Sequence, residues 1–240
     1  GMPIAYWVSD SIIDIFKKGI RLKTIGDTRQ GMATSDNSRF LRLWFEVSLL
    51  RIGFNCSNAD AAFMSRKKWF PYNKGGFFRK WYGNHEYVVN WENNGKEILD
   101  YATKLYKTPT RTIKSISEYF KKCVSWSKIS SGSIAFRFYG SGYIFDVAGC
   151  SIFFRDEEVM KYLLGVLNTK IYRCILEVIS PTLNYEAGQI ASLPVIIDKN
   201  YKTNVDNLVC SNIRISCVDW DSFETSWDFK NHPLLTHKKE

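Results

Sequence analysis

The chain has 240 residues, and its 33 Lys and Arg against 24 Asp and Glu give a net charge of +9. With 45% hydrophobic and 24% charged residues, the composition excludes long disorder, a collagen helix and an extended coiled coil. The excess charge is one-sided, because residues 1–128 contain 22 basic and 11 acidic side chains. Charge alone leaves two interpretations open, a nucleic-acid partner or a basic surface that binds no partner.

The cysteines and the N-terminal residues indicate the compartment. Six cysteines are scattered without a C-x-x-C pair and three histidines show no paired spacing, so we expect reduced thiols and no bound metal. Cys174 lies in an apolar helical stretch and is expected to be buried. Residues 1–7 lack the features of a leader, and no apolar run approaches the length of a membrane span. We therefore expect a cytoplasmic protein with no membrane partner.

The first 50 residues predict two helices separated by a polar loop. Residues 9–18 carry an apolar stripe at helical spacing, and Gly19 would end that helix. Residues 26–37 are polar and flanked by glycine, which predicts a loop. The apolar side chains of residues 40–47 recur at helical spacing and predict a second helix. Three polar residues are candidates for its N-cap: Asp36, Asn37 and Ser38.

Residues 61–82 are unusual, because they contain six cations, several aromatic side chains and no acid. Pro71 and the glycine pair at 75–76 prevent one continuous helix, so we expect a loop and a short strand. The cations are expected to face an anionic partner. Four of the aromatic residues are expected in the core: Trp69, Phe70, Phe77 and Trp81.

The rest of the chain mixes strand-like and helical segments. Strands are predicted over residues 86–91, 123–129, 133–139 and 142–155. Turns are predicted at residues 93–95, 130–132 and 140–142, the last as a hairpin turn. Helices are predicted over residues 96–107, 157–179 and 206–215, with Pro181 just beyond the second and a short apolar element at 193–197. The predicted fold class is therefore α+β, a mixed β-sheet with packed helices. Residues 219–240 are predicted to be a C-terminal extension that needs a missing neighbour to pack on.

The sequence supplies no convincing active site. The six prolines are never adjacent, which excludes the Asn/Asp-Pro-Pro-aromatic motif of enzymes that methylate amino groups. No G-x-G-x-x-G, Walker A or G-x-S-x-G pattern occurs. The acids at 156–158 precede a predicted helix and are best explained as stabilising its N-terminus. His85 stands in a polar turn and is expected to be a surface histidine. We predict no catalytic, cofactor-binding or metal-binding residue.

DNA-binding chemistry is better represented. Cations neutralise phosphates, and arginine or amide side chains read guanine or adenine edges. Seven cations are candidates for phosphate contacts: Lys67, Lys68, Lys74, Arg79, Lys80, Lys128 and Arg137. Five residues of the 26–37 loop and its border are candidates for DNA contacts near base edges: Arg29, Gln30, Thr34, Asn37 and Arg39. The same loop would equally serve as a simple turn and helix cap.

At these residues the chain resembles a known family. Residues 31–42 read GMATSDNSRFLR and are similar to the G-x-A-T-G-D-N-x-R-F-L-R block of large adenine-specific DNA methyltransferases, with Ser35 in place of the usual glycine. This family comprises the PglX-type enzymes of BREX phage-resistance systems and related fused restriction-modification enzymes. Further similar blocks follow in order at residues 69–76, 79–84, 89–93, 126–132, 144–149, 163–169, 181–184, 188–190 and 219–229.

The resemblance implies a function for the chain. In that family these blocks follow the catalytic half and resemble the target-recognition region, which is related to the specificity domains of type I restriction systems. The implied organisation is a DNA target-recognition domain over residues 1–218 and an extension over 219–240. The implied partners are double-stranded DNA and a methyltransferase domain or other restriction or defence subunits. S-adenosylmethionine, the family's cofactor, is bound by the part that this chain lacks.

Rival functions remain open at this point. The chain would be an enzyme by itself, as a free-standing methyltransferase or a nuclease, only if it bound the cofactor or a metal. It would be a protein-interaction module of a defence complex if residues 219–229 docked on another subunit, or it would be part of a restriction endonuclease. An inactive remnant is the remaining alternative.

Overall fold

The computed structural model describes residues 8–130, 132–180 and 182–236. Several predicted features lie outside the described residues: the first seven residues, Ser131 of the predicted turn, Pro181 and the last four residues of the predicted extension. No helix in the described ranges is long and apolar enough to cross a membrane.

Strands and helices are interspersed along the chain. The strands are β1 (Ile20–Arg21), β2 (Gly26–Arg29), β3 (Leu41–Leu43), β4 (Trp69–Asn73), β5 (Tyr87–Asn90), β6 (Cys123–Trp126), β7 (Phe136–Tyr139), β8 (Ile144–Phe145), β9 (Ser151–Phe154) and β10 (Pro194–Val195). The helices are α1 (Asp10–Lys18), α2 (Asn37–Phe40), α3 (Ala59–Met64), α4 (Glu92–Tyr106), α5 (Met160–Leu167), α6 (Lys170–Ile179), α7 (Ala187–Ala191), α8 (Lys199–Trp220) and α9 (Pro233–Thr236).

Two four-stranded sheets organise these elements. The first sheet has the order β2-β9-β6-β7 and is antiparallel throughout. The second has the order β3-β5-β4-β8, and its β4–β8 pair is parallel. A separate antiparallel pair joins β1 to β10. The predicted α+β class with a mixed sheet is confirmed.

The first sheet is buried on both faces, because successive side chains of a strand point to opposite sides. On one face, Val124, Trp126 and Ile152 pack with apolar residues of α5, α6 and α8. On the other face, Cys123 and Phe153 join a second core that contains residues of the second sheet, α3 and α4. The first sheet therefore lies between a helical layer and the second sheet.

Pairing in the sheets overrides two local predictions near the N-terminus. Residues 26–29 form β2 instead of loop, because they pair with β9. Residues 40–47 do not form the predicted helix. Helix α2 ends at Phe40, and Leu41 begins β3, which pairs with β5. The helical spacing was misleading, because burial of Phe40 and Leu41 in the second core is achieved by a turn followed by a strand.

The predicted long helix over 157–179 is divided at Asn168. The Asn168 side chain accepts a hydrogen bond from the Phe136 backbone N–H at 3.1 Å and donates one to its carbonyl at 2.9 Å. It thereby satisfies both backbone groups of a residue on the edge strand β7. Thr169 then caps the new helix α6. Helix α6 buries Tyr172, Ile175 and Leu176, so Cys174 faces solvent, and its predicted burial is wrong.

The predicted hairpin turn at 140–142 is also wrong. Strand β7 pairs with β6 in the first sheet, whereas β8 pairs with β4 in the second. Residues 140–142 therefore carry the chain from one sheet to the other. Elsewhere α8 is longer than the predicted 206–215 helix, and β10 covers only part of the predicted 193–197 element.

Residues 219–229, which begin in the last turn of α8, pack on the chain itself instead of needing a missing neighbour. Trp44 donates its indole N–H to the Thr225 carbonyl at 2.9 Å. Asp219 forms a 2.9 Å ion pair with Arg79, and Trp220 is buried. The ring of Trp227 stacks on His85 at a centroid distance of 5.7 Å.

His85 is a buried residue and not the expected surface histidine. It is 3% exposed and surrounded by the rings of Tyr82, Tyr139, Tyr143 and Trp227. Within the described chain neither of its ring nitrogens has a hydrogen-bond partner. Burial, assisted by the positive charge of Arg137, lowers the pKa of His85 to about 3. The folded state therefore holds the ring neutral.

We expect this histidine to make the fold sensitive to acid. The unfolded chain binds a proton at His85 below about pH 6.5 and the folded chain does not, so the free energy of unfolding falls as the pH falls from 6.5 towards 3. The contribution is about 1.4 kcal/mol for each pH unit. Urea unfolding at several pH values should show a shallower pH dependence for His85→Phe than for the unchanged chain. His232→Phe, at an exposed site, is the control and should keep the full dependence.

Candidate nucleic-acid interface

Gly31 lets the 30–37 loop lie directly against the second sheet. A Cβ at this position would overlap with the backbone carbonyl of Phe145. The next residue, Met32, donates its backbone N–H to that carbonyl at 2.9 Å and is fully buried. Val147 in turn donates its N–H to the Met32 carbonyl at 3.3 Å. The start of the loop is therefore part of the packed body.

The rest of the loop is a capped turn. Ser35 has a φ of +60°, in the left-handed region that favours glycine. The carboxylate of Asp36 accepts hydrogen bonds from the Arg39 backbone N–H at 3.0 Å and the Ser38 hydroxyl at 2.7 Å. Asp36 is thus the N-cap among the three candidates, and the Ser38 hydrogen bond lowers its pKa. The Thr34 hydroxyl donates to Oδ1 of Asn37 at 2.5 Å.

A buried carboxylate, which the sequence analysis missed, lies beneath this loop. Asp146 is 2% exposed, and its Oδ2 lies 2.8 Å from both the Tyr72 hydroxyl and the Lys74 ammonium. Its Oδ1 accepts the Ala148 backbone N–H at 2.7 Å. Burial and the nearby Asp146 charge raise the pKa of Tyr72 well above its usual range. Lys74 is therefore held in place, with 28% of its side chain exposed.

A second acid joins the loop to the opposite edge of the site. Glu186 accepts hydrogen bonds from Gln30 and Lys128, both at 2.9 Å. Its pKa is lowered, chiefly by the Lys128 hydrogen bond. Lys128 also donates its backbone N–H to the Ala148 carbonyl at 2.8 Å, which ties it to the segment after Asp146.

These contacts bring four of the twelve predicted DNA-binding residues around one surface. We call this surface the loop face and define it by Gln30, Asn37, Lys74 and Lys128. Thr34 does not belong to it, because it is 3% exposed and its hydroxyl is bonded to Asn37. Arg29 leads into the loop face from the end of β2 and forms a 3.5 Å ion pair with Asp27. The loop face combines amide and ammonium groups, and its two lysines are paired with fixed carboxylates.

A second group of predicted residues lies along the second sheet, next to α2. Arg39 pairs with Glu97 at 2.8 Å, and its hydrogen bond lowers the pKa of that acid. Lys67 donates to the Leu50 carbonyl at 2.5 Å, and Lys68 lies 5.8 Å from the centre of the Trp69 ring. We call Arg39, Lys67 and Lys68 the sheet-edge cations.

The remaining three predicted residues have internal partners. Arg137 is 1% exposed and donates to the Ser127 hydroxyl at 3.0 Å and to the Arg79 carbonyl at 3.3 Å. The Arg79 guanidinium pairs with Asp219, as described above, and lies over the Trp220 ring. Lys80 donates to the Asn168 carbonyl at 2.7 Å. All three side chains hold parts of the fold together.

The aromatic residues of 61–82 divide in a way that the sequence did not predict. Trp69 and Phe70 are buried, as expected. Phe77 is 89% exposed, so its predicted place in the core is wrong, and the adjacent Phe78 is 57% exposed.

In the described part of the chain, no three His, Cys, Asp or Glu side chains stand close enough to hold a metal ion.

Comparison with known proteins identifies relatives over the full chain. No family model matches. The chain is 39% identical, over 246 aligned residues, to the adenine-specific methyltransferase PglX of Lacticaseibacillus casei (strain Zhang). This match covers all of the chain and 20% of PglX. The chain is 34% identical to the adenine-specific methyltransferase BrxX of Escherichia coli O9:H4 (strain HS), covering 99% of the chain and 18% of BrxX. The chain thus spans about a fifth of the length of these curated relatives.

One solved structure has a weaker likeness. The type IIG restriction endonuclease BpuSI is 14% identical, with a TM-score of 0.45. The likeness covers 83% of the chain and 28% of that protein. At this level it carries no argument about function.

Because Gly31 is in contact with the backbone of β8, we expect Gly31→Ala to destabilise the protein. The added methyl group has to displace the Phe145 carbonyl, and overpacking of this kind costs about 1–3 kcal/mol. Denaturant unfolding followed by circular dichroism measures the change in stability. Gly140→Ala is the matched control, because nothing lies within 4 Å of its Cβ position. Equal stability of the two variants would contradict the close approach described here.

Proposed function

Because the chain corresponds in sequence to about a fifth of the PglX and BrxX adenine-specific methyltransferases, we propose that it is the DNA target-recognition region of such an enzyme. Residues 1–218 would form this region, with 219–240 as an extension whose residues 219–229 pack on it. The observation that carries the proposal is the loop face, where amide and ammonium groups are gathered on a rigid support. The sequence lacks the proline pair of an amino-methylating active site.

The chemistry of the whole enzyme would lie outside this chain. Methyl transfer, and the binding of S-adenosylmethionine, would belong to another part of the protein. The expected setting is a cytoplasmic restriction-modification or phage-defence system, which methylates specific DNA sites. The contribution of this chain would be to select the site by binding duplex DNA.

The cations and the amide groups have different proposed roles. Phosphate contacts position a protein on DNA, and base contacts specify the sequence. Arg29, Lys74, Lys128 and the sheet-edge cations would contact phosphates. Gln30 and Asn37 would approach base edges, where amides pair with adenine, and the buried Thr34 would hold Asn37 in place. We leave out Arg137, which is 1% exposed, and Arg79 and Lys80, whose charged groups bind α8 and the junction of α5 and α6 instead of lying on the loop face.

The acids beside the loop face would tune this binding. A phosphate that approaches Lys128 competes with Glu186, and one that approaches Lys74 competes with the buried Asp146. Each lysine is thereby held at a fixed place before DNA arrives, which reduces the entropic cost of binding. The same competition weakens attraction to an arbitrary polyanion. This arrangement favours DNA whose backbone fits the fixed positions.

A second surface suits the proposed contact with the rest of the enzyme. Helix α8 carries four apolar side chains that are each more than 60% exposed and recur at positions typical of a helix–helix seam: Tyr201, Leu208, Ile215 and Val218. The adjacent side of α8, with Val205 and Val209, packs on Gly165 of α5. About four fifths of each relative lies outside the matched segment. We propose that a helix from that remainder, in the same polypeptide, covers this side of α8.

We expect duplex DNA to bind in a salt-dependent manner. Fluorescence anisotropy with a pool of labelled duplexes, at several salt concentrations, measures the affinity. The slope of log K against log salt should become shallower by about one when a phosphate-binding ammonium group is removed, as in Lys68→Ala or Lys128→Ala. Lys17→Ala, at an exposed site on α1, is the control and should leave the slope unchanged. Absence of binding at low salt, or binding without salt dependence, would refute the proposal.

The base contacts have a separate readout in the same assay. Selection of bound duplexes from a random pool should enrich a sequence motif with the unchanged chain. Gln30→Ala with Asn37→Ala should flatten the motif while the salt slope stays the same. If no motif is enriched, the chain binds DNA without sequence preference, and the proposed base contacts are refuted.

The proposed α8 contact is tested by grafting. The chain would replace the matching fifth of Lacticaseibacillus casei PglX, with and without Leu208→Lys and Ile215→Lys. In the isolated chain the substitutions should hardly change the melting temperature, because both side chains face solvent. In the graft they should lower it, because charges would be buried against the covering helix. Leu50→Lys, an exposed site elsewhere, is the control. An unchanged melting temperature in the graft would contradict the contact.

A further inference from the structure

The segment that follows β4 exposes two adjacent phenylalanines. Phe77 is 89% exposed, the highest value for a large apolar side chain in the described ranges, and Phe78 is 57% exposed. Single exposed apolar residues are ordinary on protein surfaces, but two adjacent exposed phenyl rings at the tip of one segment are unusual. Their exposure therefore points to a ligand or partner that binds the two rings.

The backbone beneath these rings is firmly held. The Phe77 carbonyl accepts hydrogen bonds from the Asn84 amide at 2.9 Å and from Arg137 at 3.4 Å. The Gly76 carbonyl accepts the Ser127 hydroxyl at 2.8 Å. Gly75 and Gly76 have φ values of +79° and +113°, which glycine adopts without strain. A hydrogen-bonded backbone therefore holds the two rings in their exposed positions.

The same segment adjoins the loop face. Lys74 immediately precedes it, and a Cβ at Gly75 would lie 2.8 Å from the Ala148 carbonyl, the acceptor of the Lys128 backbone N–H. Ser127, which bonds to Gly76, is followed directly by Lys128. The segment that carries the two phenyl rings is therefore anchored next to the backbone of Lys74 and Lys128, whose ammonium groups are paired with acids.

We propose that Phe77 and Phe78 form an aromatic wedge that stacks on nucleobases at an opened base step of bound DNA. The proposal rests on the proposed DNA-recognition function and adds a contact that none of the predicted residues makes. Apolar side chains that insert between base pairs unstack and kink the duplex, while neighbouring cations hold the phosphates. Every base presents a π face, so the contact requires no particular sequence.

The charge around the rings favours DNA over a protein as the occupant. An apolar docking patch for a protein is normally depleted of charge at its centre. Here Lys74 and Lys128 border the segment, and their carboxylate partners are retained within the fold. A nucleic acid supplies both phosphates for the lysines and flat rings for the phenylalanines. A second copy of the chain supplies neither in this combination.

The test uses the 240-residue chain and duplexes in which 2-aminopurine replaces one adenine at successive positions. Unstacking of this base raises its fluorescence. The unchanged chain should raise the fluorescence at a restricted set of positions. Phe77→Ala with Phe78→Ala should abolish the rise and weaken duplex binding by roughly 5- to 100-fold, because aromatic stacking contributes about 1–3 kcal/mol per base. The salt slope should stay unchanged, since every cation is retained.

Two further variants sharpen the result. Phe77→Trp keeps a stacking ring and should retain the fluorescence rise. Phe45→Ala with Phe63→Ala removes two exposed phenylalanines elsewhere and should behave as the unchanged chain. Circular dichroism melting of all variants checks that each is folded, which the exposure of the substituted rings leads us to expect.

The outcomes distinguish a failure of the proposed wedge from a failure of the proposed DNA recognition. Salt-dependent binding that is equal in the unchanged chain and the double Phe77 and Phe78 variant, with the same fluorescence, would overturn the wedge and leave the function standing. Failure of the unchanged chain to bind duplex DNA would overturn both. Loss of self-association in the double variant, measured by sedimentation without DNA, would assign the rings to a protein contact instead.

Discussion

Buried polar contacts between the two sheets are the constraint on which the rest of the structure depends. The Asn73 amide donates to the Ser125 hydroxyl at 2.6 Å and to the Gly149 carbonyl at 3.3 Å. Arg137 of the first sheet donates to the Phe77 and Arg79 carbonyls, in the segment after β4, at 3.4 and 3.3 Å. A buried polar group without a partner costs about 1–3 kcal/mol, so the sheets are favoured only in the register that pairs these groups. The end of β4 that carries Asn73 also pairs with β8 within the second sheet.

The loops inherit their positions from these contacts. The 30–37 loop is attached to β8 at Gly31 and Met32, and the segment after β4 is attached to β6 and β7 through Ser127 and Arg137. Binding groups on such loops need little reorganisation when a ligand arrives. The fixed carboxylates have a second effect. They offset part of the positive charge of Arg39, Lys74 and Lys128, so an outside anion has to compete with them for these side chains.

We propose separate roles for two surfaces of the chain, DNA binding for the loop face and contact with the rest of the enzyme for α8. The matched segment is about a fifth of PglX or BrxX. Within it, cations and amides lie on the loop face, while α8 presents an apolar side that nothing in the described ranges covers. One surface suits a polyanion with readable edges and the other suits an apolar helix. A region with both would connect a DNA site to the remaining part of an enzyme.

The sequence by itself determined the features that depend on short-range chemistry. These include the α+β class, helix α1 with its Gly19 end and the turn at 93–95, whereas the choice of Asp36 among three candidate caps came from the structure. The resemblance of residues 31–42 located the loop that carries several of the proposed contacts. Only the tertiary structure decided the break at Asn168, the crossing at 140–142, the burial of His85 and the exposure of Phe77. It also divided the predicted cations into paired surface groups and internal ones such as Arg137. The reason is that each of these outcomes depends on a partner far away in the chain, whose distance and orientation no local pattern contains.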